Sequence, residues 1–130
     1  MANSMTELTE LLRTRLCDIL FKEAANDGMI YLYLADGYWT AFEKSAFRLS
    51  CLYAPALLVP MRLPSMPVPF VTASVGQESL RAAMAGADCL LRVGRERAYM
   101  SPAADNADTY RKWHDRETKA LRRLPAKFTM

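Results

Sequence analysis

Residues 29–42, MIYLYLADGYWTAF, constrain this chain more than any other stretch. Asp36 and Gly37 separate two runs rich in aromatic and apolar residues, and an Asp-Gly pair supplies the two positive φ angles of a two-residue hairpin turn. Residues 29–35 therefore read as a strand that returns antiparallel as residues 38–42. The first run has no polar side chain beyond Tyr31 and Tyr33, which suits a strand covered on both faces. On the second, alternation sends Tyr38, Thr40 and Phe42 to one side and Trp39 and Ala41 to the other. If Phe42 packs inward, Tyr38 follows it and Trp39 lies on the opposite face.

Helical periodicity flanks the hairpin. Leu8, Leu11, Leu12, Leu16, Ile19, Leu20 and Ala24 recur on one stripe of residues 5–25, with Glu10, Arg13, Thr14, Asp18, Lys22 and Glu23 opposite. Ser4 and Glu7 have capping-box spacing, and Gly28 is placed to end the helix. After Phe42 the apolar period changes. Phe42, Ala46, Leu49, Ser50 and Tyr53 predict a second helix over 43–53, with Glu43, Lys44 and Arg48 outward; continued strand is the competing reading.

Residues 54–70 hold five of the seven prolines, which excludes helix and allows short edge strands at 56–59 and 68–74. GQESLRAAMAG reads as a short helix with Leu80, Ala83 and Met84 inward, ADCLLRV as a buried strand, Gly94 as a turn and RERAYM as its hairpin partner. Asp105 or Asn106 can cap a last helix over about 105–124, with Tyr110, Trp113, Ala120, Leu121 and Leu124 on one face until Pro125. The pattern as a whole gives an α/β or α+β single domain spanning residues 1–130, a small mixed sheet of four to six strands flanked by three or four helices.

Composition narrows the function. At 52% hydrophobic and 24% charged residues the chain is ordinary for a globular domain rather than a disordered one. No run reaches the roughly 18 apolar residues of a membrane span, and the first residues lack a secretory pattern, so the expectation is a soluble, cytoplasmic protein without membrane contact. Cys17, Cys51 and Cys89 are far apart, odd in number and set in apolar stretches, which reads as reduced core residues rather than metal ligands. His114 is the only histidine, and no phosphate loop, dinucleotide fingerprint or nucleophile elbow is present. The expectation is no metal, no cofactor and no catalysis. Net charge is +3 and uneven: residues 66–130 hold eleven Lys/Arg against seven Asp/Glu, and from Thr109 onward seven basic side chains face two acidic ones. A basic helix face of this kind either contacts an anionic partner or only solvates.

The order helix, hairpin, helix, proline-interrupted strands, short helix, strand resembles the N-terminal mismatch-recognition domain of the MutS family of DNA mismatch repair proteins. The segments that carry the resemblance are DGYWTAF, EKSAFRLS, VPMRLPSMPVPF, GQESLRAAMAG and ADCLLRV, about residues 29–93. The resemblance implies a non-catalytic nucleic-acid-binding module in which Tyr38, at the family's base-stacking phenylalanine, offers a ring to a nucleobase. Thr40 stands where the family has a glutamate and cannot replace that carboxylate. The candidate contact set is Tyr38 and Trp39 with Lys44, Arg48, Arg92, Arg95 and Arg97 as phosphate partners. The alternative is a protein-interaction or homo-oligomeric scaffold, meeting its partner through the proline-rich edge or the Trp113 face.

Overall fold

In the computed structural model, which describes residues 6–64, 66, 68–102 and 105–122, the hairpin forms as its turn chemistry requires. Asp36 and Gly37 take φ values of 53° and 82° and join β1 (Met29–Ala35) to β2 (Tyr38–Phe42). Before the hairpin comes α1 (Thr6–Ala24), and after it α2 (Glu43–Leu52), a helix rather than continued strand. Then follow β3 (Leu57–Met61), β4 (Phe70–Gly76), a 3-10 turn (Gln77–Ser79) running into α3 (Leu80–Ala83), β5 (Asp88–Val93), β6 (Glu96–Met100) and α4 (Ala107–Arg122). The strands form one sheet in the order β3-β4-β2-β1-β6-β5, and every pairing is antiparallel rather than mixed. This is an α/β domain of the expected class.

Both sheet faces are covered near the centre, which explains the near-continuous apolar run of β1. On one face α1 brings Leu16 and Ile19 against Tyr33, Phe42, Met61 and Phe70. The rings of Tyr33 and Phe42 meet edge to face at 5.9 Å, a favourable arrangement of their quadrupoles. On the other, α2 and α4 bring Phe47, Leu49 and Trp113 against Ile30, Leu32, Trp39, Ala41 and Val71. The rings of Phe47 and Trp113 meet at a tilt, with centroids 5.1 Å apart.

Several expectations change. The strand of residues 68–74 starts at Phe70 and lies inside the sheet, paired to β3 and β2; only β3 is the proline-bearing edge, with Pro60 in it. β5 is not buried: all six residues are exposed, because it is the other edge and no helix of the described residues lies over it. Cys17, Cys51 and Cys89 are exposed rather than core, the first opposite the buried stripe of α1 and the third on that open edge. Ala120 is exposed, and α4 instead buries Thr118, whose hydroxyl donates to the His114 carbonyl at 2.8 Å. Asn106 caps α4, accepting from the Thr109 N–H at 2.7 Å. Ser4, Leu124 and Pro125 lie outside the described residues.

Candidate functional site

The residues singled out by sequence divide between surfaces. Tyr38 starts β2 and is 48% exposed, whereas Trp39 next to it is sealed at 4%. Pairing fixes their sides: Tyr38 opposes Ala35 and Gly76 on the α1 face, and Trp39 opposes Leu34 and Val75 on the α2–α4 face. Thus Tyr38 does share the side of Phe42, but it lies beside the first turn of α1, beyond the reach of the helix's buried stripe, and so remains in solvent.

The cations follow no single surface. Arg97 lies over the Trp39 ring, its guanidinium carbon 4.6 Å from the centroid, and donates to the Gly94 and Glu96 carbonyls. Arg92 is opposite it on β5 and is exposed; two like charges directly across a ladder repel. Both are on the face away from Tyr38. Arg95 reaches from the β5–β6 turn to Glu7 at 2.7 Å and to the Leu34 carbonyl at 3.0 Å. Lys44 caps the end of α1 by donating to the Ala24 carbonyl at 3.3 Å. Arg48, placed outward by periodicity, is buried: it donates to Asp105 at 2.7 Å and to the Met29 carbonyl at 2.9 Å. A guanidinium committed in this way is unavailable to a phosphate.

Two polar clusters escaped the sequence reading. Glu23, placed on the polar face of α1, is 1% exposed beneath α2. Its carboxylate accepts from the Ser45 N–H at 3.0 Å, the Ser45 hydroxyl at 2.5 Å and the Asn26 amide at 3.1 Å. Burial pushes its pKa up, against the lowering effect of these bonds and of Arg48. The second cluster starts at Glu43, which turns from β2 into α2 with φ of 51°, a left-handed conformation costing roughly 1–2 kcal/mol for a residue with a Cβ. Its carboxylate offsets this by accepting from the Val71 N–H at 2.9 Å and meeting His114 Nε2 at 2.9 Å. Tyr110 lies over His114, and burial together with Glu43 holds its phenol well above the usual range. The pair joins α4 to the sheet, with no nucleophilic hydroxyl or thiol bonded to the imidazole nitrogens among the described residues. It is a clasp between elements.

Among the described residues no group of three or more His, Cys, Asp or Glu side chains is arranged to hold a metal ion, and no helix is long and apolar enough to cross a membrane. What remains conspicuous is the β5 edge. Leu90 is 56% exposed, Leu91 40%, Val93 62% and the neighbouring Met100 48%. Leu91, Val93 and Met100 share the α1 face of the sheet but lie beyond the helix, and Leu90 is the extra residue of a bulge between Cys89 and Leu91. The sequence signal was the apolar run itself, which reads alike in a covered and an uncovered strand. No family model, no curated protein and no solved structure matches the chain. The class is accordingly the one the fold defines, a small α/β domain with a six-stranded antiparallel sheet between helices.

Proposed function

We propose that the chain is a protein-interaction domain that self-associates through the β5 edge. The observation that carries this reading is the exposure of the whole strand at a sheet edge, with four large apolar side chains in solvent. The two edges differ. β3 has Pro60, which offers no N–H to an incoming strand, whereas β5 contains no proline, glycine or lysine. Burying a Leu, Val or Met fully stabilises by about 1.5–3 kcal/mol, so four half-exposed side chains offer roughly 4 kcal/mol. A two-fold pairing doubles that figure and adds ladder hydrogen bonds, against an association cost of about 4–15 kcal/mol. A short peptide would bring less apolar surface of its own, which favours a second copy. Light scattering across a concentration series tests this: a dimer is expected at high concentration, and a clean monomer throughout refutes it.

A second reading, nucleic-acid contact, draws on α4, where Arg111, Lys112, Arg116 and Lys119 are exposed, although Arg111 and Arg116 have acidic neighbours in Asp108 and Glu117. Titration of labelled single-stranded, duplex and mismatched DNA at low salt tests it. A few phosphate contacts would give weak binding that falls steeply with salt.

A further inference from the structure

The α1 face of the sheet is open beyond the first turn of α1. There β2, β3 and β4 form a cavity of about 240 Å³. Leu57, Val59 and Met61 make one wall, the half-exposed Tyr38 ring stands at the rim, and Thr40 and Ser74 lie at the floor. Three observations define what fits. The first is size: a cavity of about 150 Å³ takes a benzene ring, and drug-sized pockets begin near 300 Å³, so this one takes a single ring with one small substituent.

The second is the floor. Thr40 Oγ1 and Ser74 Oγ are 3.0 Å apart, and either can be the donor. One proton is shared between them, so the pair still has one O–H to give and lone pairs to receive. Thr72, also in the lining, is committed by its hydroxyl to the Val59 carbonyl at 3.0 Å. The third is charge. Asp36 is the charged side chain in the lining, and its oxygens accept from the Glu7 and Leu8 N–H groups at 3.1 and 2.9 Å. Among the described residues no Lys or Arg lines the cavity, so a carboxylate or phosphate would lose its hydration with no counter-charge in return from them.

We propose that this cavity binds a small neutral aromatic molecule of the phenol class, its ring between Tyr38 and the aliphatic wall and its hydroxyl on the Thr40–Ser74 pair. The site is separate from the β5 edge and does not depend on self-association.

The test is a titration of the full chain with p-cresol, toluene and benzoate, followed by amide chemical shifts. p-Cresol is expected to give saturable shifts in β2, β3 and β4, toluene to bind about tenfold more weakly for want of the hydrogen bond, and benzoate to leave the spectrum unchanged. Thr40→Val with Ser74→Ala should bring p-cresol to the toluene level without altering toluene. Should that double variant fail to fold, Ser74→Ala alone carries the same comparison, and Tyr38→Ala, which alters an exposed ring, should weaken both ligands. Absence of saturable shifts with p-cresol overturns the proposal. So does equal binding of p-cresol and toluene, or binding of benzoate as tight as that of p-cresol.

Discussion

At the scale of single residues, the buried carboxylate of Glu23 gives the sharpest expectation. Burial raises its pKa, so the folded chain holds this proton more tightly than the unfolded chain does. Its contribution to stability is therefore fully present below the ordinary glutamate range and is lost as pH rises through the raised value. Glu23→Gln keeps an acceptor for the Ser45 N–H and removes the ionisation. The difference in denaturation free energy between wild type and this variant should move against the wild type from about pH 4 upward. A difference that stays flat would mean that the carboxyl does not titrate differently on folding. Glu23→Leu should cost about 3 kcal/mol below the ordinary glutamate range, because the Ser45 N–H and Asn26 amide lose a buried acceptor, and less as pH rises and ionisation weakens the wild type. Asp36 does two jobs in the same way. It supplies the left-handed turn residue and caps α1 through the Glu7 and Leu8 N–H groups, while Glu7 returns a bond to the Asp36 N–H at 2.7 Å. Urea denaturation should show Asp36→Ala losing about 1–2 kcal/mol, and Asp36→Asn, which tolerates the backbone and keeps one acceptor, losing less.

Between elements, α4 docks on α2 and the sheet through Trp113, Tyr110 and the His114–Glu43 pair. Trp113 is its large buried side chain, packed at a tilt against Phe47, and Trp113→Ala should destabilise by about 3–5 kcal/mol in equilibrium denaturation. A loss under about 1 kcal/mol would mean that the helix docks by other contacts. This scale also shows why some of the molecule was readable in the chain and some was not. The hairpin, α1, α2 and the cap of α4 depend on neighbours within a few positions: Asp36-Gly37, the leucine stripe, Asn106. The fate of ADCLLRV depends on which strand ends up last in the sheet, and a continuous apolar run is the same whether a helix covers it or not. Glu23 and Arg48 fall on polar stripes of their own helices and are buried by partners far away in sequence, α2 over the first and Asp105 beside the second. Of the contact set drawn from the sequence, Tyr38 remains exposed, but the cations gathered in the chain are distributed by pairing over both faces and an interior ion pair. Alternation identified the side of each aromatic correctly; it carried no information on where over the sheet α1 begins.

For the molecule as a whole, the question is whether the open end of the sheet stays open. Leu91 and Val93 sit on one face of β5, and lysine there would place two long cations where a second copy must lie. Both positions are exposed, so Leu91→Lys with Val93→Lys should leave the stability of an isolated chain within about 0.5 kcal/mol of its starting value. In an associating chain the same change should abolish the dimer. Association also has a thermal signature: a state that binds only when folded is stabilised by its partner, so the wild-type melting temperature should rise with chain concentration while that of the double variant stays constant. Leu57→Lys, at 59% exposure on the edge that Pro60 guards, serves as the matched control and should retain the concentration dependence. If the Leu57 variant loses association and the β5 variant keeps it, the copies meet at the other edge. If neither wild type nor variants show any dependence on concentration, the exposed leucines of β5 serve no self-contact.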